Sequence, residues 1–204
     1  MDLKETYNLI ARYWHQDHNS DDWWIEGTKT FIEQLPRGAH ILDVGCGSGV
    51  KSKYLIEHGF KVTGIDISDK LLEIAREEAL AADFRELSMT ELDSMTERFD
   101  AVFAQASLLH IPKKEAPSVV QQMARRLVPG GLLYIAVKEV REDLPEEGIL
   151  KESDYGYEYE RFFSYFRMAE LEKYLTDAGL MVVSTQRNPS PTGKTVWLQI
   201  IGKG

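Results

Sequence analysis

Cysteine is almost missing from this chain: among 204 residues there is one, Cys46. A single thiol closes no intrachain disulfide and builds no Cys-based zinc or iron–sulfur cluster, so neither framework is expected, no metal is expected, and a reducing, cytoplasmic setting fits best. Positive charge is also scarce. Twenty-four Lys and Arg stand against 33 Asp and Glu, a formal charge of −9 with neutral histidines. Proteins that bind by neutralising a phosphate backbone carry the opposite balance, so nucleic acid is not the expected partner. Nowhere do eighteen apolar residues run together, and the longest stretches, such as Leu132 to Val137, are strand-sized. The first residues, Met-Asp-Leu-Lys-Glu-Thr-Tyr, place charge where a signal peptide has its apolar core. Repeats and low-complexity tracts are absent, and a composition of 43 % hydrophobic and 28 % charged residues is that of one ordinary globular domain.

What the chain does have is alternation. Ala39 to Val44, Phe60 to Ile65, Phe99 to Ala104 and Leu132 to Val137 are short apolar runs, with a weaker one over Asp83 to Leu87. Helix-periodic stretches lie between them: Val50 to Glu57, Ser68 through Leu80 with Ser68 as N-cap, and Pro112 through about Leu127, stopped by Pro129-Gly130-Gly131. Strand–helix alternation of this kind implies an α/β fold, a mostly parallel sheet with helices on both faces. The first 35 residues read as helical, with Tyr7, Ile10, Tyr13 and Trp14 along one face. Lys138 to Glu160 breaks the pattern. Nine acidic and three basic residues with Pro145, Gly148 and Gly156 read as a long structureless surface insertion, the kind of loop that serves as a lid. A helix at Met168 to Ala178 then precedes two strands, Leu180 to Thr185 and Thr195 to Ile201, joined by Asn188-Pro189-Ser190-Pro191-Thr192-Gly193 as an antiparallel pair.

The most informative stretch is Ile41-Leu42-Asp43-Val44-Gly45-Cys46-Gly47-Ser48-Gly49, between the first strand and its helix. Glycines there let the backbone turn tightly and approach a ligand. The spacing is G-x-G-x-G. A dinucleotide turn places its third glycine one residue later, where this chain has Val50, and Asp43 would repel a nearby pyrophosphate. A carboxylate there suits a cationic ligand instead, an ammonium or a sulfonium. Asp66 ends the second strand nineteen residues after Gly47, a place from which a carboxylate accepts from both hydroxyls of a ribose, with Ile67 beside it as an apolar face for adenine. The plainer alternative for Asp66 is a helix N-terminal charge favoured by the dipole.

Ile41 to Gly49 paired with Gly64-Ile65-Asp66, followed in order by Phe99-Asp100-Ala101-Val102-Phe103-Ala104, Leu108-Leu109-His110-Ile111 and Leu127-Val128-Pro129-Gly130-Gly131-Leu132-Leu133, resembles the class I S-adenosylmethionine-dependent methyltransferases over roughly residues 39 to 200. The resemblance implies a Rossmann-like seven-stranded sheet in the order 3-2-1-4-5-7-6 with strand 7 antiparallel. It implies S-adenosyl-L-methionine as cofactor, leaving S-adenosyl-L-homocysteine. Asp43 and the backbone of Gly45, Cys46, Gly47 and Gly49 would hold the methionine moiety, Asp66 the ribose, and Ile67 the adenine. Many relatives have an acidic residue after the third strand, where this chain has Ser88-Met89, which leaves a hydroxyl and a thioether for that contact. Gln105 and Ala106 would line the methionine end. Tyr13 would cover the cofactor from the N-terminal helix, unless it and Tyr7 are plain packing residues. In this frame the chain is one domain, 1–204: a helical cover (1–37), a cofactor-binding half (38–137), a lid (138–165), and a C-terminal helix and strand pair (166–204).

Methyl transfer needs the acceptor held in line with the S–CH₃ bond, and a base when the acceptor must lose a proton. His110 lies where the mouth is expected, after the fourth strand, and is the candidate base. Tyr155, Tyr157 and Tyr159 alternate, as on one side of a strand. They either wall an acceptor pocket, with Arg161 or Glu139 fixing polar groups, or plug the lid onto the core. Trp14, near Trp23 and Trp24, is a further acceptor-side candidate against a default of helix packing. The Pro-Pro-Tyr/Phe mark of exocyclic-amine methylation is absent, since Ala104-Gln105-Ala106-Ser107 stands there, and an acidic lid repels polyphosphates. A small molecule methylated at O, N or S, by a monomer or homodimer with no membrane partner, is the favoured reading. The rivals are a nicotinamide-dependent oxidoreductase on a similar sheet, a non-catalytic cofactor-binding module, and an aminopropyl transferase.

Overall fold

The computed structural model describes residues 2–190 and 194–204. Helix α1 (Leu3–His18) starts on a capping box, Asp2 accepting from the Glu5 N–H while Glu5 reaches back, and is followed by α2 (Ile25–Ile32). Then come β1 (His40–Val44), α3 (Val50–Glu57), β2 (Lys61–Asp66), α4 (Asp69–Glu78), β3 (Asp83–Glu86), β4 (Phe99–Gln105), α5 (Ala116–Arg125) and β5 (Leu127–Lys138). Short 3₁₀ turns at Met89–Ser94 and Leu108–His110 flank β4. The chain continues through β6 (Glu147–Glu152), β7 (Tyr159–Ser164), α6 (Met168–Asp177), β8 (Met181–Pro189) and β9 (Val196–Lys203).

Seven strands form one sheet in the order β3-β2-β1-β4-β5-β9-β8, parallel as far as β5, with β9 antiparallel to both neighbours. That is the expected order. Successive residues of the inner strands go to opposite faces, and both faces are covered, which is why these strands read as continuous apolar runs. Leu42, Val102, Leu133 and Ile135 pack with Val119, Val120 and Met123 of α5 and Leu171 and Leu175 of α6. Their neighbours Ile41, Phe103 and Tyr134 pack under Phe31 of α2 and Leu55 of α3.

Four expectations change. The Pro129-Gly130-Gly131 stop does not precede β5 but lies within it: the strand begins at Leu127, with an irregular register against β4 between Phe99 and Ala101. The helix expected from Pro112 starts at Ala116, after a turn. The insertion read as structureless contains an antiparallel hairpin, β6 with β7, Glu147 opposite Ser164 through Glu152 opposite Tyr159. Residues of β6 are largely exposed, so charge hid the strand signal. The strands β8 and β9 also run longer than the sequence suggested, and Pro191, Thr192 and Gly193 of their expected turn lie outside the described residues. Among the described residues no helix is long and apolar enough to cross a membrane.

Candidate active site

Above the carboxyl ends of β1, β2 and β4 the chain encloses a cavity of about 220 Å³. Its floor is the glycine turn. Gly45, Gly47 and Gly49 all have positive φ, a region that side chains rarely adopt. The N–H groups of Gly45 and Cys46 both donate to the Ile65 carbonyl, at 2.8 and 3.0 Å, so the turn is pinned to the end of β2. Gly47 N–H donates to one oxygen of Asp66 and Ser68 N–H to the other, each at 2.9 Å. Asp66 thereby joins turn and helix start, and burial raises its pKa against these bonds.

Asp43 lies beneath this floor rather than in it. It is 1 % exposed and accepts a 2.6 Å bond from Ser52. Burial pushes its pKa up to about 6, with the Ser52 bond and the charge of Lys51 pulling the other way. Gly49 is likewise outside the wall: a Cβ there would come within 2.9 Å of Ala75, so this glycine serves helix packing.

The roof is α1. Trp14 lies over Gly47, close enough that a Cβ on the glycine would touch its ring at 3.4 Å. Asn8 accepts from Ser68 Oγ at 2.6 Å and donates to Asp69 at 2.7 Å, and His15 Nδ1 is 2.9 Å from Ser48 Oγ. Tyr7 and Leu3 complete the ceiling. Tyr13 does not: it is 51 % exposed and stacks on Tyr155, 5.5 Å between centroids. The reason is helical geometry. Six residues past Tyr7 is roughly 120° away around the axis, whereas Trp14, seven past, is roughly 20° away.

At the far end stands His110. Its Nδ1 is 2.8 Å from the Phe162 carbonyl, which can only accept, so Nδ1 carries the proton and Nε2 accepts from the Tyr7 hydroxyl at 2.8 Å. Burial first, then the nearby charges of Arg161 and Lys138, push the imidazole down to about 3, against the Phe162 bond. Arg161 lies behind this pair. It holds Glu152 in a two-pronged bond (2.5 and 2.6 Å), reaches the Tyr7 hydroxyl at 3.5 Å, and spreads over the rings of Tyr7, Tyr159 and Phe163. Desolvation opposes its charge, but Glu152 and Tyr7 outweigh that and raise its pKa.

The cavity wall therefore brings together Gly45, Cys46, Gly47, Asp66, Ile67, Ser88, Met89, Gln105, Ala106, Trp14 and His110 of the residues singled out from sequence. Asp43, Gly49, Tyr13, Glu139, Tyr155, Tyr157 and Arg161 do not line it. Glu139 is paired with Arg187 at 2.6 Å on the outer surface. Tyr155 and Tyr157 pack against Tyr13 and Tyr159, and Tyr157 bonds the Leu9 carbonyl, so these two join hairpin to α1. Sequence reasoning passed over Lys51, Leu71 and Ser107 in the wall and weighed Tyr7 only as packing. The position of Tyr7 on the same helical stripe as Ile10 and Trp14 was the available signal.

Two buried polar atoms in the wall, Gln105 Nε2 and Ser107 Oγ, have no hydrogen-bond partner, a condition that costs on the order of 1–3 kcal/mol unless a ligand satisfies them. Between them Ala106 is the one non-glycine residue with positive φ among those described, and such strain concentrates at ligand sites. Orphan polar atoms, a glycine floor and a carboxylate at the end of β2 fit a nucleoside bearing an amino-acid tail.

Residues 41–131 match the methyltransferase-domain family. A ubiquinone biosynthesis O-methyltransferase of Coxiella burnetii is 30 % identical over 135 residues, covering 57 % of this chain and 57 % of that protein. The chain thus spans little more than half the length of that curated relative. Among solved structures, a Burkholderia thailandensis 1,6-didemethyltoxoflavin-N1-methyltransferase with bound 1,6-didemethyltoxoflavin and S-adenosylhomocysteine superposes with TM-score 0.78 at 21 % identity, covering 98 % of this chain and 86 % of that one. The magnesium protoporphyrin IX methyltransferase of Synechocystis PCC 6803 with bound S-adenosylmethionine gives 0.72 at 16 % identity, covering 98 % and 94 %. The strand order, the turn with its paired Asp66, and the family match over residues 41–131 together make this chain similar to the class I S-adenosylmethionine-dependent methyltransferases.

Proposed function

We propose that this protein transfers a methyl group from S-adenosylmethionine to an O or N atom of a small molecule. The observation that carries the reading is the Asp66 carboxylate, held by Gly47 and Ser68 at the lip of a cavity whose opposite wall has unsatisfied donors at Gln105 and Ser107. When bound, the cofactor supplies an electrophilic methyl on a sulfonium. Asp66 accepts from the ribose hydroxyls, the negative charge of Asp43 beneath the turn favours a cationic ligand above it, and Met89 and Ile67 flank the base. Trp14 and Tyr7 exclude water from above.

His110 keeps its place at the acceptor end with a changed role. An imidazole held near pH 3 is neutral at pH 7 but a poor store for a proton, and its Nε2 already accepts from Tyr7. The pair shapes the acceptor end rather than acting as the base. A net charge of −9 speaks for a small acceptor over nucleic acid, and one buried thiol suits the cytoplasm. The oligomer is a monomer or homodimer.

Calorimetric titration with S-adenosylhomocysteine and, separately, NAD tests the reading. Binding of the first alone is expected; binding of NAD alone would favour an oxidoreductase. Cofactor binding without transfer to any acceptor in a broad metabolite mixture would leave a binding module.

A further inference from the structure

The charges behind the acceptor end bear on which atom receives the methyl group. Lys138 is the last residue of β5, and its ammonium lies over the Phe163 ring at 4.5 Å and faces Trp197 at 5.8 Å. The Phe163 ring is in turn 4.8 Å from that of His110. No carboxylate lies within ion-pair distance of Lys138, and no hydrogen bond engages its three donors, among the described residues. The charged groups around it do not compensate. From the hairpin, Arg161 and Glu152 neutralise each other in their two-pronged bond. From the β4 side, His110 is neutral. Glu139, next along the chain, is taken by Arg187 on the outer surface. Lys138 is thus held against aromatic rings without an ion-pair partner, and burial lowers its pKa.

Lys138 is not in the cavity wall but stands behind it, one ring removed from His110, and a positive charge at that range discriminates among methyl acceptors by charge flow. A neutral amine that takes the methyl becomes positive, beside Lys138. An oxyanion that takes it becomes neutral. Burial does most to keep His110 neutral, and Lys138 adds to it after Arg161; unlike burial, a positive charge there favours an ionised hydroxyl. Resting on the function proposed above, we infer that the acceptor is an oxygen acid, a phenolic or enolic hydroxyl or a carboxylic acid, bound as its anion, and that Lys138 is the positioning charge that keeps it ionised. The hydroxyl proton leaves to water before transfer. A lone pair of the oxyanion then forms the O–CH₃ bond while the C–S bond breaks, its electron pair returning to sulfur to leave a neutral thioether.

The probe is 4-nitrophenol, whose phenolate absorbs in the visible, titrated against the protein saturated with S-adenosylhomocysteine, with 4-nitroaniline as its uncharged isostere. The bound phenol should ionise about one pH unit below the free probe, as expected for a nearby opposite charge. The shift should vanish in Lys138→Met and persist in Lys138→Arg, and 4-nitroaniline should bind at least about ten-fold more weakly, the ratio that one pH unit of anion stabilisation gives. Calorimetry with S-adenosylhomocysteine in every sample shows that the variants keep the site. An unshifted bound probe, a shift unchanged in Lys138→Met, equal binding of the aniline, or no phenol binding at millimolar concentration while S-adenosylhomocysteine binds would each overturn the inference and leave the methyltransferase reading intact. Failure of S-adenosylhomocysteine itself to bind would overturn both.

Discussion

The two ends of the cavity are built in opposite ways. The floor of the cofactor end comes from one contiguous stretch, Asp43 to Ser68, and uses backbone, with glycine turns, N–H groups aimed at Asp66 and a buried carboxylate below, while Met89, Gln105 and Trp14 add side chains from elsewhere. The opposite end is walled by Tyr7 on α1 and His110 after β4 and backed, outside the wall, by Lys138 at the end of β5 and by Arg161 and Phe163 on β7, and uses side chains. Their electrostatics differ as well. Asp43 and Asp66 make the first end negative, suited to a sulfonium and an ammonium, while Lys138 makes the second positive. A contiguous backbone device tolerates almost no substitution and serves one ligand, whereas a side-chain assembly on a hairpin can be rebuilt for new acceptors without disturbing the first.

The comparison breaks most severely at Gly45. A valine there needs a left-handed φ of +73° that β-branched residues avoid, and its Cβ would sit 2.4 Å from that of Ser107. Gly45→Val should abolish S-adenosylhomocysteine binding in calorimetry; retained affinity would mean the turn is not the floor of the site. Next is the hairpin. Glu152→Ala leaves Arg161, with a side chain only 14 % exposed, without its partner. Removing one member of a buried pair costs about 3–5 kcal/mol, less what solvent and the Tyr7 contact recover. Denaturant melts should show destabilisation at that scale, while cofactor affinity in the folded fraction changes little if the two ends are as separate as their construction suggests.

Asp66→Ala should weaken S-adenosylhomocysteine by about 1–3 kcal/mol, the range for losing a charged hydrogen-bond partner. Tyr7→Phe should do the converse, lowering turnover while leaving that affinity unchanged, because it removes only the hydroxyl that His110 Nε2 accepts from. An equal loss in both measurements would merge the two ends into one.

The same contrast explains what the sequence made legible. The floor could be read because G-x-G-x-G and Asp66 lie within 22 residues on elements whose order the apolar runs fix. Tyr7 could not be told from packing, since a helical stripe shows which residues face inward but not whether a core or a cavity lies beneath. The sequence offers Arg161 and Glu139 alike as polar contacts to an acceptor, yet Arg161 pairs with Glu152 behind the cavity wall and Glu139 with Arg187 on the surface. The hairpin itself stayed hidden because β6 is largely exposed, and of the alternating Tyr155, Tyr157 and Tyr159 only the last lies in β7. Lys138 looked like the first residue of a lid and is the last of a strand.

The smallest effect is a slope. Asp43 titrates near 6 in the folded chain against 3.8 for the ordinary carboxylate, and His110 near 3 against 6.5. Between about pH 4 and 6 the folded protein therefore holds a proton on Asp43 that the unfolded chain lacks, and the unfolded chain holds one on His110 that the folded protein lacks. Stability rises with pH where the unfolded state binds more protons, so the His110 contribution falls on acidification and the Asp43 contribution grows. At one proton each the slopes cancel. Asp43→Asn removes the compensating proton, so relative to the parent its unfolding free energy should fall by about 1.4 kcal/mol for each pH unit between 6 and 4, and other titrating groups drop out of that difference. His110→Asn should change the difference by the same slope with the opposite sign, gaining relative stability on acidification. Parallel curves for Asp43→Asn and parent would mean that Asp43 is ionised throughout this range, and that the negative charge under the glycine turn is present at no such cost.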